Sequence, residues 1–242
     1  MGYRSQVRPL CLNSPAQINN NMTLKAIYAI YGASGCGRSN MPMARSMLEQ
    51  QCDSGTFELV FVDDNPSSEC VNGHRVLTYS QFLAAEVNEK YVSLAIANSS
   101  VRLELSERCT SDGVLPFSIF SENSVIMDEV VIGDGCILSP FVTLTSNITI
   151  GRQFHANLYS YVEHDCVIGD FVTFAPGVKC NGNVLIEDHA YIGSGAIIRQ
   201  GTLEQPLIIG RGAVVGMGAV VTKNVPAGAT VVGNPARSLI KS

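Results

Sequence analysis

In the second half of the chain, every sixth residue is small or apolar. The pattern starts at Ile126, runs without a break to Ile198, and resumes at Ile209 after an interruption at residues 199–208. Two residues before each of these positions from residue 132 onward stands a second small or apolar residue, and Ser160 is the one polar member of that row. A period of six fits neither an α-helix, with about 3.6 residues per turn, nor a single alternating strand. It predicts a solenoid of short parallel strands with two inward side chains per repeat.

The residue that follows the apolar position is often Gly or Asn. Examples are Gly133, Gly151, Asn157 and Gly169. Because these residue types tolerate positive φ better than others, we expect the corners of the solenoid to turn there.

Charge and cysteine usage exclude several classes of protein. The 242 residues carry a formal net charge of −5, so the chain lacks the basic field of a nucleic-acid-binding or lipid-surface protein. It has no uninterrupted apolar run of about 18 residues, as a membrane span requires, and its start shows no signal-peptide pattern. The eight cysteines form no CxxC pair, which predicts free thiols in the cytoplasm.

The first half alternates between strand-like and helix-like segments. An apolar run at residues 24–32 leads into a glycine-rich turn, Gly32 to Arg38, and then into a helical stretch. We expect that helix to start near Arg38 or later, so that Pro42 stays in its first turn. A second strand at residues 57–64 ends in two aspartates, and a third follows at 91–100. This order predicts a small Rossmann-like unit whose glycine turn lets a phosphate approach backbone N–H groups.

The repeats resemble those of the hexapeptide-repeat acyltransferases. The C-terminal run from Gly216 to Arg237, with its Gly-Asn-Pro-Ala-Arg ending, is similar to the end of that family's chains. The resemblance implies a left-handed parallel β-helix, a homotrimer, and acetyl-CoA bound in grooves between neighbouring subunits. The residues that it implies for contact with acetyl-CoA are Gly182, Ser194, Gly216 and Gly218.

The combination of both halves resembles the nucleotide-amino-sugar N-acetyltransferases, relatives of the sialic-acid O-acetyltransferases. It implies a Rossmann-like nucleotide-sugar domain at 22–119 and a β-helix acetyltransferase domain at 120–242. Residues 1–21 are polar and rich in Asn, and we expect them to form an extension before these domains. In this family the small domain holds the nucleotide sugar. The residues that match its glycine turn and paired acids are Gly32, Ser34, Gly35, Gly37, Asp63 and Asp64.

The run His164 to Gly169 matches the segment that carries the catalytic histidine in this family. In the repeat, His164 falls at a corner and points outward, where a histidine can also be a solvated bystander. The resemblance makes it the general base, with Asp165 orienting the ring and Asn157 contacting the reacting groups. Cys166 stands two residues away at an inward position, so we expect it to be a core residue rather than a nucleophile. Two coils further along the chain, the 199–208 interruption should emerge beside His164.

The other polar candidates have simpler interpretations. We expect Glu163 to be a solvated corner residue, and His155 and His189 to be structural or solvated. The spacing of His155, His164 and His189 does not resemble the three-histidine zinc site of a β-helical carbonic anhydrase, so we expect no metal.

The sequence therefore predicts a cytoplasmic homotrimer that acetylates the 4-amino group of a nucleotide-linked 4-amino-4,6-dideoxy sugar for bacterial surface glycans. Transfer would be direct, without an acyl-enzyme. Two alternatives stay open at this point. One is a sugar O-acetyltransferase of the sialic-acid type, and the other is a non-catalytic β-helix scaffold subunit.

Overall fold

A computed structural model describes residues 24–239. The polar extension predicted at residues 1–21 lies outside the described residues. None of the helices in the described part of the chain combines the length and apolarity needed to cross a bilayer.

The first domain is a six-stranded sheet with helices on its faces. Its strands are β1 (Ala26–Tyr31), β2 (Phe57–Val62), β3 (Cys70–Val71), β4 (His74–Leu77), β5 (Glu89–Leu94) and β6 (Leu115–Pro116), in the spatial order β3-β4-β2-β1-β5-β6. All neighbours pair in parallel except β3 and β4. The helices are α1 (Gly35–Gln51), α2 (Tyr79–Leu83) and α3 (Ser99–Ser111). Strand β1, the glycine turn, α1 and β2 form the predicted Rossmann-like unit.

The predicted start of α1 is wrong. The helix begins at Gly35, directly after its N-cap Ser34, and Pro42 lies inside it. A proline ring removes one intrahelical hydrogen bond and usually bends a helix. Here the buried residues Met41, Ala44 and Leu48 anchor the helix on the core on both sides of the proline, so packing outweighs the lost bond.

The second domain is a left-handed parallel β-helix, as predicted. Its strands are β7 (Ile119–Phe120), β8 (Val125–Ile126), β9 (Val130–Ile132), β10 (Ile137–Leu138), β11 (Thr143–Leu144), β12 (Ile148–Ile150), β13 (His155–Ala156), β14 (Tyr161–Val162), β15 (Val167–Ile168), β16 (Thr173–Phe174), β17 (Lys179–Cys180), β18 (Val184–Ile186), β19 (Tyr191–Ile192), β20 (Ile197–Ile198), β21 (Leu207–Ile209), β22 (Val214–Val215), β23 (Val220–Val221), β24 (Thr230–Val232) and β25 (Arg237–Ser238).

These strands form three sheets, one on each side of a triangular coil. The first sheet runs from β7 through every third strand to β22 and ends with β24 and β25; the second runs from β8 to β23, and the third from β9 to β21. Ile137 pairs with His155, and His155 pairs with Thr173, so one coil takes 18 residues. The first sheet of the β-helix begins at Ile119, just after β6; the division into functional domains at 119/120 stays a prediction.

Both inward rows of the repeat form a continuous core. From Cys136 to Val231 their side chains pack in one buried cluster, while Ile126, in the first coil, is 40% exposed because no complete coil covers it. Ser160 fits this core because its hydroxyl donates to the Ala175 carbonyl and accepts from the Val178 N–H. The six-residue period in the sequence therefore corresponds to the side chains that form the core of the β-helix.

The corners turn at a different residue from the one predicted. Positive φ occurs three residues after the inward aliphatic, for example at Tyr159 and Asp165, and not at Asn157. The glycines that follow the aliphatic serve another purpose, because a side chain there would collide with the next coil. A β-carbon at Gly133, Gly151 or Gly169 would lie 2.7 Å from a backbone nitrogen of that coil.

Arg102 of α3 fastens the first domain to the β-helix. Its guanidinium is fully buried and donates to the carbonyls of Ile96 and Phe171 and to the Thr173 hydroxyl. The effect of the contact is visible on the outer face of the first sheet, where the covered residues Ile137, His155 and Thr173 are buried. On later coils of that face, Tyr191 is 40% exposed. The first domain therefore covers part of this sheet and leaves the rest open.

Candidate active site

His164 and Asp165 form a hydrogen-bonded pair on the surface of the β-helix. His164 Nδ1 lies 2.7 Å from Asp165 Oδ2, and about half of the histidine side chain is exposed. The hydrogen bond to Asp165 raises the pKa of His164 above its ordinary value. Positive φ at Asp165 sets the corner at which this pair stands. The imidazole is thus oriented by a carboxylate through one nitrogen, while the other is available to accept a proton.

Gly182 lies one coil below and forms the wall behind the imidazole. A β-carbon at Gly182 would lie 2.6 Å from Cε1 and 2.7 Å from Nε2 of His164. The interruption of the repeat lies at the same corner, because the Gly201 N–H donates to the Gly182 carbonyl at 3.0 Å. This agrees with the expected position of the 199–208 segment beside His164.

Asn157 stands at the preceding corner of the same coil, where it lines a cleft between the two domains. The cleft has a volume of about 580 Å³ and lies between the start of α1 and the outer face of the first sheet. Gly35 and Cys36 line it from the first domain, and His155 and Asn157 line it from the β-helix. Asn157 Oδ1 accepts a hydrogen bond from the Leu158 N–H at 3.1 Å. His164 is not part of this lining, so one chain does not bring Asn157 and His164 into one pocket.

The glycine turn requires glycine at two positions. Gly32 has a φ of 105°, and a β-carbon at Gly37 would overlap the Gly32 carbonyl oxygen. Ser34 is the N-cap of α1, but its side chain makes no capping hydrogen bond. The first N–H groups of the helix, which have no partner within the helix, therefore keep their capacity to bind an anion at Gly35.

The two aspartates that follow β2 have different surroundings. Asp63 accepts hydrogen bonds from the backbone N–H groups of Ala33 and Asn65, so it braces the glycine turn. Asp64 accepts a hydrogen bond from the Tyr31 hydroxyl at 2.8 Å and lies 3.6 Å from the Arg108 guanidinium. Both acids lie at the end of the sheet beside the turn, as predicted, but neither lines the cleft.

The residues predicted to contact acetyl-CoA lie along two corners that border the second sheet. Gly182 shares the corner of His164, whereas Ser194, Gly216 and Gly218 share the corner of Asn157. The Gly218 N–H donates to the Ser194 carbonyl at 2.8 Å, and Met217 between the two glycines is 82% exposed. Their contact with acetyl-CoA stays a prediction.

The thiols of this domain are buried. Cys136, Cys166 and Cys180 have no exposed surface and are free, so a nucleophilic role for Cys166 would require the core to open. Across residues 24–239, no three His, Cys, Asp or Glu side chains lie in an arrangement that could hold a metal ion.

Two protein-family models match the chain. Residues 28–109 match the PglD N-terminal domain, and residues 183–223 match the hexapeptide repeat of succinyl-transferase. The chain is also 55% identical, over 216 residues, to the GDP-perosamine N-acetyltransferase of Escherichia coli O157:H7; the match covers 89% of this chain and 97% of that protein.

Solved structures of similar chains have the same architecture. WeeI from Acinetobacter baumannii AYE is 57% identical, with a TM-score of 0.85 over 89% of this chain and 100% of that one. The acetyltransferase domain of PglB from Neisseria gonorrhoeae, in complex with acetyl coenzyme A, is 27% identical, with a TM-score of 0.77 over 89% of this chain and 100% of that chain.

The fold and the relatives define a hexapeptide-repeat acyltransferase with an added PglD-type N-terminal domain. More narrowly, the chain belongs to the family of acetyl-CoA-dependent sugar N-acetyltransferases.

Proposed function

We propose that this enzyme transfers the acetyl group of acetyl-CoA to the 4-amino group of a nucleotide-linked 4-amino-4,6-dideoxy sugar, and that the sugar nucleotide is GDP-perosamine. The 55% identity to an enzyme named for GDP-perosamine supports this choice of substrate. The observation that carries the chemistry is the pair of His164 and Asp165, which places an oriented base at an exposed corner. We place the reaction in the cytoplasm and its product in bacterial surface glycans.

The chemistry needs one base. The sugar amine attacks the thioester carbonyl, a C–N bond forms, and the C–S bond breaks as coenzyme A leaves. His164 takes the proton from nitrogen and can return it to the leaving thiolate, while Asp165 stabilises the cation formed in between. Because a thioester is already activated and Cys166 is buried, transfer is direct.

The two substrates use different parts of the chain. The nucleotide sugar occupies the interdomain cleft, with its diphosphate near the uncapped start of α1 at Gly35. Acetyl-CoA lies along the corners that carry Gly182 and Gly216. The functional boundary is the one between residues 22–119 and 120–242.

The active enzyme is a homotrimer. Asn157 and His164 lie at different corners of one coil, so a second copy is needed to bring a cleft and a base together. Apolar side chains such as Val131, Tyr159 and Met217 are more than half exposed in the single chain, and a neighbouring subunit would cover such surface. Sedimentation should show a trimer, and a stable, fully active monomer would contradict this assembly.

An assay of coenzyme A release tests the function directly. The protein is given acetyl-CoA and, separately, GDP-, UDP- and dTDP-linked 4-amino-4,6-dideoxy sugars. We expect thiol release equal to sugar consumed, fastest with GDP-perosamine, and a product that resists mild alkali because it is an amide. A product that mild alkali cleaves would indicate an ester and O-acetylation, and no release with any amino sugar would contradict the proposal.

A further inference from the structure

His155 is a buried polar side chain without a partner in the interdomain cleft. It lies on β13, lines the cleft, and is only 7% exposed. Its Nε2 atom is closed off from solvent and makes no hydrogen bond within residues 24–239. Native structures pair nearly all buried polar groups. Several buried side-chain atoms in this part of the chain are unpaired, His189 Nδ1 among them, and of these residues only His155 lines the cleft. Because the ring itself lines the cleft, a turn of the imidazole would bring this nitrogen to a ligand bound there, and that ligand would supply the missing partner.

The imidazole offers hydrogen bonds without charge. Burial, and then the positive charge of Arg102, hold the pKa of His155 well below its ordinary range. Arg102 is held behind the cleft wall by the Phe171 carbonyl and the Thr173 hydroxyl. A neutral imidazole has one donor and one acceptor nitrogen, which suits a hydroxyl group that can act in both ways.

The rest of the lining also suits an uncharged polar ligand. The described residues that line the cleft include no Asp, Glu, Lys or Arg. Three further polar side chains in it are buried, Asn40, Ser139 and Thr173, and apolar walls come from Met43 and Ile137. A deoxy-sugar ring presents hydroxyl groups together with C–H and methyl surface, which is the mixture that such a wall can bind.

The position of His155 indicates which part of the nucleotide sugar it would contact. His155 is two residues before Asn157 on the β-helix side, whereas Gly35 and the start of α1 form the other side. The N–H groups of the helix are the natural partners of a diphosphate. The β-helix side of the cleft, where His155 lies, is therefore left for the sugar.

We propose that His155 hydrogen-bonds a hydroxyl group of the sugar ring and thereby helps to select the sugar of the nucleotide-sugar substrate. This inference rests on the proposed function and assigns a specificity-determining residue to its acceptor site.

The test compares binding of the free nucleotide with turnover of the sugar nucleotide. The variants are His155→Phe, which removes the hydrogen bond, and His155→Gln, which keeps a donor and an acceptor. For His155→Phe we expect kcat/KM with GDP-perosamine to fall about tenfold, mainly through KM, while calorimetry shows unchanged GDP binding. His155→Gln should recover part of the loss. The control is His189→Phe, a histidine outside this cleft, which should leave both values unchanged.

The possible outcomes distinguish a failure of the role assigned to His155 from a failure of the proposed function. An unchanged kcat/KM in His155→Phe would overturn the role of His155 while an active wild type upholds the proposed function. Equal loss of GDP binding would overturn the assignment to the sugar. A wild-type protein that acetylates no nucleotide amino sugar would contradict the proposed function itself. His155→Ala, which adds no bulk, carries the same expectation if the Phe variant does not fold.

Discussion

The imidazole of His164 lies against Gly182 so closely that a β-carbon there would come within 2.6 Å of Cε1. On the ring's other side, Asp165 Oδ2 lies 2.7 Å from Nδ1. The close backbone at Gly182 and the hydrogen bond to Asp165 together orient the ring. In the proposed mechanism that orientation is what makes His164 a base rather than a solvated side chain.

Gly182→Ala should therefore impair catalysis without unfolding the protein. The new methyl group meets the end of a side chain, which can rotate away, rather than backbone. We expect kcat to fall by about ten- to a hundredfold through misplacement of the base, with little change in the KM of the sugar nucleotide. In the His164→Ala background the same substitution should add almost nothing. An unchanged kcat for Gly182→Ala in steady-state assays would contradict this positioning role.

Gly35 and Gly37 of the glycine turn should have different roles, one in substrate binding and the other in stability. A β-carbon at Gly35 meets nothing within 4 Å, whereas one at Gly37 overlaps the Gly32 carbonyl. Gly35→Val should leave the melting temperature nearly unchanged and raise the KM of the sugar nucleotide, with acetyl-CoA binding intact. Gly37→Ala should lower the melting temperature instead. Equal weakening of both substrates by Gly35→Val would contradict the division of labour.

Arg102→Leu should destabilise the protein strongly. The guanidinium donates to the Ile96 and Ala97 carbonyls of its own domain. Across the domain interface it donates to the Phe171 carbonyl and the Thr173 hydroxyl, and its loss leaves buried acceptors unpaired. We expect a loss of about 3 kcal/mol in the free energy of unfolding, measured by urea denaturation. Arg75→Ala removes an exposed ion pair with Glu58 and should cost less than about 1 kcal/mol. Similar losses for the two variants would contradict the fastening role of Arg102.

The sequence predicted the rows of the β-helix well because packing repeats with the period of the chain. The residue with positive φ at each corner was predicted wrongly. The six-residue period shows where the corners lie but not which residue in each corner has positive φ. Position 133 requires glycine because a β-carbon there would collide with the next coil. That contact joins residues far apart in the sequence, so no local pattern shows it. Pro42 was misjudged for the same reason. Whether a proline inside a helix is tolerated depends on how that helix packs against the rest of the protein, which the local sequence does not show.

The site was predicted unevenly for a related reason. His164, Asp165 and Asn157 were assigned through the resemblance of one short segment to the family's motif, and their roles stay predictions. The structure adds that Asn157 lines the cleft and His164 does not. The sequence predicts a structural or solvated His155, and the structure places its side chain on the outer face of the first sheet. Only the first domain, held by Arg102, turns that outer face into a buried cleft wall, and no local pattern reports such a contact.

The dependence of activity on pH should follow His164. Its pKa is raised chiefly by the hydrogen bond to Asp165, and the protonated ring cannot accept a proton. Activity should therefore fall on the acidic side, with a midpoint above the ordinary histidine value of about 6.5. Asp165→Asn should move that midpoint to lower pH and lower kcat less than loss of His164 does. A midpoint that does not move in Asp165→Asn would contradict the coupling of the two residues.

The most direct test of the mechanism is the turnover of His164→Ala with acetyl-CoA and GDP-perosamine across the pH range, with Glu163→Gln as the neighbouring control. We expect kcat to fall by roughly 10²-fold or more, with both KM values and the melting temperature close to those of the wild type. The acidic fall in activity should disappear, and Glu163→Gln should behave almost as wild type. If His164→Ala keeps a near-normal kcat throughout that range, His164 is only a solvated corner residue and is not the base.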